Sequence, residues 1–140
     1  MSIQYCCEDV SSPKLQKRNL NRWIKETIAS EGKTTGDISF IFCSDAYLLE
    51  VNKQYLNHDY FTDIITFDYV ENNVISGDIF ISCDRVRENG VEFGTGFESE
   101  LSRIIIHGVL HLLGFKDKSK KDKLLMTQKE DFYLNVLSNS

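Results

Sequence analysis

The sequence predicts an α/β protein, with α+β character, in which helices cover a mixed and partly parallel β-sheet. Its 140 residues are 41% hydrophobic and include nine Phe, six Tyr and one Trp, enough to bury a core without disulfides. Short β-branched segments alternate with segments of helical periodicity, which is typical of layered α/β proteins. One Pro and the lack of repeats or linker-like tracts indicate a single compact domain over residues 1–140.

Strand and helix signals alternate through the N-terminal half. Apolar residues alternate over residues 3–7, as in a short strand. Ser12–Pro13 is typical of a helix N-cap followed by Pro at the first helical position, and we expect this helix to end near Gly32. Residues 38–43 are almost wholly apolar and predict a buried strand, and the helical spacing after them predicts a helix over residues 44–56.

The C-terminal half predicts two strands followed by three helices. Residues 64–67 and 74–82 are rich in β-branched and aromatic residues, which favour strands. We expect a short helix after Asp84, a long apolar helix over residues 98–113, and a final helix over residues 120–137.

Charge is distributed unevenly along the chain, whose net charge is −5. Residues 59–100 contain ten acidic and two basic residues, whereas residues 101–129 contain seven basic and two acidic ones. Because charges act over a Debye length of about 8–10 Å, the basic segment can attract a polyanion despite the net charge. The sequence has no apolar run of about 20 residues and no secretion signal, so we expect a cytoplasmic protein without a membrane span.

The segment 104–117 contains candidate metal ligands. His107 and His111 are four residues apart, so a helix places them about 40° apart in azimuth and about 6 Å apart in rise, on one face. The helix is otherwise largely apolar, and two imidazoles buried there need a partner for their lone pairs. Gly114 can end the helix and let Asp117 return to the same point, the spacing of the long zinc motif of metzincin peptidases with a carboxylate as third ligand.

Three protein ligands leave a coordination position open, which is typical of a catalytic zinc site. One Zn²⁺ per chain would acidify a bound water, so His107, His111 and Asp117 are the candidate metal ligands and also the candidate catalytic residues. Zinc peptidases with this spacing have a Glu directly after the first His as general base, whereas Gly108 follows it here. This favours phosphodiester cleavage, with a zinc metallopeptidase or another metal-dependent hydrolase as the alternative. A Gly inside a helix also suggests close approach of the metal site or a strand.

Four blocks of the sequence resemble the YbeY family, bacterial endoribonucleases that are also called rRNA maturation factors. Residues 107–115, His-Gly-Val-Leu-His-Leu-Leu-Gly-Phe, resemble the family signature H-G-x-L-H-L-x-G-[YF]. Residues 52–67 and Gly77-Asp-Ile-Phe-Ile-Ser82 resemble two upstream blocks, and Met126-x-x-x-Glu130 resembles the closing one. The blocks occur in order over about the last three-quarters of the chain.

The resemblance implies a zinc-hydrolase-like fold, a four-stranded mixed sheet packed with about five helices, in one YbeY-like metallo-endoribonuclease domain. It implies single-strand-specific, zinc-dependent cleavage of RNA in 16S rRNA 3′ end maturation, ribosome biogenesis and late-stage 70S ribosome quality control. The implied partners are single-stranded RNA, rRNA and the ribosome or its small subunit, with no DNA and no membrane. A non-catalytic ribosome assembly factor with a structural metal is a further alternative.

Two positions depart from the family pattern. The third family ligand is a His three residues after the Gly, which is Asp117 here; a one-residue insertion would instead place Lys118 there, and protonated Lys cannot bind a metal. The Arg that follows the family Tyr is Leu56 here. If that Arg contacts phosphate in relatives, this chain must use another cation, such as His58 or the lysines that begin at Lys116.

Two acidic residues and several aromatic ones have open roles. Asp63 and Asp78 follow Thr and Gly in their blocks and can either cap turns, orient a ligand His or contact substrate. Lys116 and Lys118 flank the third ligand position and are possible substrate contacts. Aromatic residues such as Tyr60 can stack on bases or lie in the core.

Overall fold

Within residues 2–139, which the computed structural model describes, four strands form one mixed sheet in the order β1-β2-β4-β3 and five helices pack around it. The elements in chain order are β1 (Ile3–Cys7), α1 (Lys17–Ser30), β2 (Thr34–Cys43), α2 (Asp45–Leu56), β3 (Ile64–Asp68), β4 (Val74–Ser82), α3 (Cys83–Glu92), α4 (Phe97–Leu112) and α5 (Lys120–Ser138).

The pairing of the strands confirms the predicted mixed, partly parallel sheet. β2 pairs in parallel with both β1 and β4, and β3 pairs antiparallel with β4. β2 begins at Thr34, earlier than the apolar run predicts, and a register shift between Thr35 and Ile38 interrupts its pairing with β4. The first four residues of β2 are polar or Gly, so the apolar pattern that predicts a buried strand begins only at Ile38.

The two faces of the sheet contribute to separate clusters of buried residues. Ile64 and Ile79 point toward α4 and pack with the main core, which also includes residues of α1 and α5. Ile65, Phe67 and Phe80 belong to a smaller cluster beneath α2. Because side chains alternate along a strand, neighbouring residues of β3 and β4 face different layers.

Serine side chains cap three of the helices. Ser44, Ser82 and Ser119 each accept a hydrogen bond from a backbone N–H three residues further on, at the starts of α2, α3 and α5. The predicted cap at Ser12–Pro13 is wrong, since the Ser12 hydroxyl donates to the Pro13 carbonyl oxygen and α1 begins at Lys17. Every helix within residues 2–139 is too short or too polar to traverse a lipid bilayer.

β4 and α4 approach each other so closely that Gly77 has no room for a side chain. A Cβ atom at this position would lie 2.5 Å from the carbonyl oxygen of Phe67 and 2.8 Å from a methyl group of Leu112. The first atom belongs to the backbone of β3 and the second to the last turn of α4. Gly77 therefore permits the spacing that holds α4 against the sheet.

The Gly77→Ala substitution is expected to destabilise the protein by about 2 kcal/mol, because the Phe67 carbonyl cannot move without disturbing the β3–β4 pairing. Urea unfolding measures the change. Ser39→Ala, at a half-buried position of the neighbouring strand, is the control and should cost less than about 1 kcal/mol. Equal unfolding midpoints for wild type and Gly77→Ala would contradict the close packing.

Candidate metal centre

α4 brings the two candidate imidazoles together on one side of a core helix. Residues on its other sides, such as Ile105 and Val109, are fully buried, whereas His107 and His111 are half-buried. The ring centroids are 4.6 Å apart, and the two Nε2 atoms are 3.0 Å apart. The spacing of four residues thus directs both rings to one point.

Gly108, directly after the first imidazole, lies against the sheet. A Cβ atom here would be 2.9 Å from a methyl group of Ile79 and 3.1 Å from one of Ile64. Close approach of β3 and β4 therefore explains the Gly inside the helix. A Glu at this position would have to push the Ile79 and Ile64 side chains aside, so the packing disfavours the general base found there in zinc peptidases.

A tight turn after α4 returns the chain to the imidazoles. Gly114 has φ +102° and its N–H bonds the His111 carbonyl, while the N–H of Phe115 bonds the Leu110 carbonyl. This pair of bonds is the Schellman motif, which favours Gly in the left-handed position. The turn carries the chain back so that Asp117 reaches the imidazole pair.

The ligand atoms of the three predicted residues form a small triangle. Oδ2 of Asp117 lies 3.3 Å from Nε2 of His107 and 3.3 Å from Nε2 of His111, and the two nitrogens are 3.0 Å apart. Bonds of about 2.0–2.1 Å at tetrahedral angles separate zinc ligands by about 3.3 Å. The residues present therefore suit a divalent cation of zinc size.

A buried carboxylate holds the first imidazole from behind. Nδ1 of His107 donates to Oε2 of Glu130 at 2.5 Å, since an ionised carboxylate only accepts. Oε1 of Glu130 accepts from Nη1 of Arg103 at 2.8 Å, and Nη2 of Arg103 donates to Asp131 at 2.8 Å. With its proton on Nδ1, His107 keeps the lone pair of Nε2 for a metal.

Sequence reasoning missed the role of Glu130. In the sequence, Glu130 stands out only as the end of the block that begins with Met126. The last of the candidate ligands, Asp117, lies in a different segment of the chain. Met126 and Glu130 are both buried, at 2% and 7% exposure. The available signal was the spacing of four residues between Met126 and Glu130, which places the Glu on the same, buried face of a helix as the Met. A buried carboxylate requires a partner, so this spacing indicates that Glu130 binds another side chain.

The two imidazoles differ in their affinity for protons. Burial lowers the pKa of His107, but the hydrogen bond from its ring to Glu130 and the charges of Glu130, Asp117 and Asp63 raise it above its ordinary value. Burial, reinforced by the positive charge of His107, lowers the pKa of His111. Carboxylates surround His107, and burial disfavours the protonated form of His111. Because metal ligands must be deprotonated, binding of a metal ion here would be accompanied by release of protons.

Asp63 lies near the centre although it belongs to another part of the chain. Its carbonyl oxygen accepts from the N–H of Ser82, which ends the β3–β4 pairing, and the next residue, Ile64, packs against Gly108. Burial raises the pKa of the Asp63 carboxyl, and the charge of His107 opposes this rise. Asp63, directly before β3, lines the same cavity as His107.

Asp78 and His58 are engaged elsewhere. Asp78 lies between Gly77 and Ile79, which both face α4, so its side chain projects from the opposite face of the sheet, where Tyr69 donates to it at 3.2 Å. His58 is exposed after α2, and its ring stacks on Tyr60 with centroids 5.1 Å apart. The structure brings neither of them into the ligand triangle.

The lysines lie at the surface beside the third ligand. Lys116 and Lys118 are exposed on either side of the half-buried Asp117. Lys118, the alternative residue for the third ligand position, is thus directed away from the imidazoles by the same turn that brings Asp117 toward them. The carboxylate of Asp117, and not the ammonium group of Lys118, completes the triangle.

Comparisons with known proteins identify the family of the chain. The family model of endoribonuclease YbeY matches residues 5–138. The endoribonuclease YbeY of Parabacteroides distasonis is 53% identical over 98% of this chain and 96% of its own length, and that of Flavobacterium psychrophilum is 58% identical over 81% of each. The solution structure of TM1509 from Thermotoga maritima superposes with a TM-score of 0.70 at 30% identity, covering 97% of this chain and 89% of that one. The chain therefore belongs to the endoribonuclease YbeY family.

Proposed function

We propose that this protein is a single-strand-specific endoribonuclease that uses a zinc ion held by His107, His111 and Asp117. Its proposed roles are maturation of the 16S rRNA 3′ end and late-stage quality control of 70S ribosomes in the cytoplasm. The observation that carries the proposal is the convergence of three ligand atoms within 3.0–3.3 Å of one another in a chain of this family.

Each residue of the centre has a definable task. A divalent cation supplies a Lewis acid that polarises a phosphoryl oxygen and acidifies water. Glu130 accepts the Nδ1 proton of His107 and so fixes the ring orientation, with Nε2 on the side of the proposed metal. Asp117 contributes a negative charge where the family has a neutral imidazole. This carboxylate makes harder cations more competitive with zinc than they are at a three-His site.

Phosphodiester cleavage suits this centre better than peptide cleavage. Peptide hydrolysis by zinc enzymes with this spacing relies on a Glu after the first His, and Gly108 is closed to any side chain by Ile79 and Ile64. RNA carries its own nucleophile in the 2′-hydroxyl, next to the scissile phosphate. The metallopeptidase alternative is therefore not favoured.

Exposed side chains of the protein offer contacts for an RNA strand. The exposed Lys116 and Lys118 can neutralise phosphates next to the metal, in the absence of the family Arg at Leu56. The stacked rings of His58 and Tyr60 are exposed and form a flat surface for a base. Because phosphate contacts release counterions, we expect RNA binding to weaken steeply with salt.

Removing the metal is expected to abolish RNA cleavage, and adding Zn²⁺ to the chelated protein should restore it. The measurement uses a labelled single-stranded RNA, a duplex of the same sequence and casein, with metal content determined for every sample. Cleavage of the single strand alone, only in the presence of metal, is the expected outcome. Chelated protein that cleaves RNA at an unchanged rate would contradict the proposal, and cleavage of casein would favour the metallopeptidase alternative.

A complementation experiment distinguishes the nuclease from the alternative, a non-catalytic ribosome assembly factor. A strain lacking the protein receives either wild type or Asp117→Ala, and the 16S rRNA 3′ end is mapped. We expect only wild type to restore the mature end. Restoration by a variant that is folded but free of metal would indicate an assembly factor in place of a nuclease.

A further inference from the structure

A cavity of about 230 Å³ lies next to the candidate metal centre, and His107 and Glu130 form part of its wall. It lies between α3, α4 and the start of β3. No step of the proposed cleavage uses it. The remaining residues of the wall are Asp63, Val86, Asn89, Phe93, Glu100, Arg103 and Ile104.

The cavity wall combines polar side chains with two buried apolar residues and one exposed aromatic ring. Val86 and Ile104 are 1% and 7% exposed, whereas the ring of Phe93 is 62% exposed. The backbone at Phe93 is nonetheless fixed, because its N–H bonds the Asn89 carbonyl at 2.9 Å and the following turn lies against Gly90. An exposed aromatic ring on a fixed backbone, beside a cavity, is typical of a surface on which a planar ligand stacks.

The polar groups of the cavity differ in whether they are already paired. Arg103 is bound to Glu130 and Asp131. The side-chain amide of Asn89 makes no hydrogen bond to any group in residues 2–139, and the Asp63 carboxyl is half-buried. Glu130 is paired with Arg103 and His107, and Glu100 accepts from the hydroxyl of Thr95. A ligand would therefore meet one free amide and the Asp63 carboxylate, beside two carboxylates that already have partners, with no free cation inside the cavity.

The size and the polar groups together define the ligand. Pockets for drug-sized molecules measure about 300–1,000 Å³, so this smaller cavity suits a single planar ring system. Single-stranded RNA is commonly recognised by bases that leave the stack, lie on an aromatic ring and bond through their edges. Guanine has an acceptor, O6, for an amide N–H, and N–H donors on the same edge for a carboxylate.

We propose that this cavity receives one nucleobase of the RNA strand, guanine in preference to the others, with Phe93 as the stacking surface and Asn89 and Asp63 bonding the base edge. This inference rests on the proposed nuclease function. It implies that cleavage occurs close to a guanine, since His107 forms both the cavity wall and a ligand of the metal. It adds base selectivity to a centre whose metal chemistry is indifferent to sequence.

The test measures binding of RNA trinucleotides to the zinc-loaded full chain by NMR, with the side-chain amide of Asn89 as the reporter. The central base is guanine, inosine, adenine or uracil, and chromatography establishes that each strand remains intact. We expect guanine to bind about tenfold more tightly than adenine or uracil and to shift the Asn89 amide signals. Inosine lacks the exocyclic amino group and should bind with intermediate affinity.

Phe93→Ala should weaken binding of the guanine trinucleotide about tenfold, the usual effect of removing a stacking ring. Phe132→Ala is the matched control, because Phe132 is 59% exposed on α5 and is absent from the cavity wall. Asn89→Ala should reduce the preference for guanine over adenine without changing the zinc content. Both ring positions are exposed, so both variants are expected to fold.

The outcomes separate this inference from the nuclease proposal. RNA cleavage with equal binding of all four trinucleotides and unmoved Asn89 signals would overturn the guanine site and leave the nuclease intact. Guanine binding at Asn89 without any cleavage would support the site and count against the nuclease. Equal affinity for free guanosine monophosphate and the trinucleotide would overturn the assignment to an RNA strand.

Discussion

The His111→Ala variant is expected to lose RNA cleavage by more than about 100-fold, because changes that only disturb groups behind a metal ligand already cost about 10–100-fold. His111 supplies one corner of the ligand triangle, 3.0 Å from His107 and 3.3 Å from Asp117. Two remaining ligands cannot hold the cation at the affinity of three. Cleavage rates and zinc per chain, measured on the same preparation, should fall together.

His58→Ala is the control for this experiment. His58 is an exposed imidazole that stacks on Tyr60 and lies outside the triangle, so its removal should leave the zinc content at one ion per chain. Because His111 is half-buried on the surface of α4, its replacement by Ala should leave the fold intact. A His111→Ala protein with full zinc content and wild-type cleavage would refute the assigned ligands.

The Glu130→Gln variant is expected to bind zinc about 10–100-fold more weakly, since the amide can no longer supply the charge that orients His107 and raises its basicity. Glu130→Ala removes the acceptor altogether. It leaves the imidazole N–H and Arg103 without their buried partner, and we expect a loss of stability of about 3 kcal/mol in the metal-free protein. Zinc affinity is measured by competition with a chromophoric chelator, and stability by urea unfolding.

Asp131→Asn is the matched control, because Asp131 also pairs with Arg103 at 2.8 Å but is exposed to solvent. An exposed ion pair contributes at most about 1 kcal/mol, so this variant should resemble wild type in both measurements. Equal zinc affinity for wild type and Glu130→Gln, or a larger effect for Asp131→Asn, would contradict the role given to Glu130.

The sequence predicted the parts of the centre that local spacing determines. A helix relates His107 to His111 by a fixed rotation and rise, and a Gly stop relates Asp117 to both, so the three candidate ligands follow from eleven consecutive residues. The alternation of strands and helices likewise predicted a mixed sheet, because those patterns depend on a few neighbouring positions.

Contacts between distant segments could not be predicted in this way. Glu130 reaches His107 from another helix, and no spacing rule relates two helices joined by a turn of variable length. Asp63 and Asp78 seemed equivalent as acidic residues within family blocks, yet only Asp63 faces α4. The start of α1 was wrong because Ser12–Pro13 satisfies a cap pattern while its hydroxyl bonds a carbonyl outside any helix.

α4 belongs to the core and to the proposed metal centre at once, so the two cannot be lost independently. Ile105, Ile106 and Leu110 of this helix are fully buried, and the imidazoles project from the same backbone. A ligand that binds only the native state raises its stability, by about 4 kcal/mol at a thousandfold excess over its dissociation constant. If the ion binds as proposed, metal starvation would make the chain a better target for proteolysis, and its abundance as well as its turnover number would follow the supply of the ion.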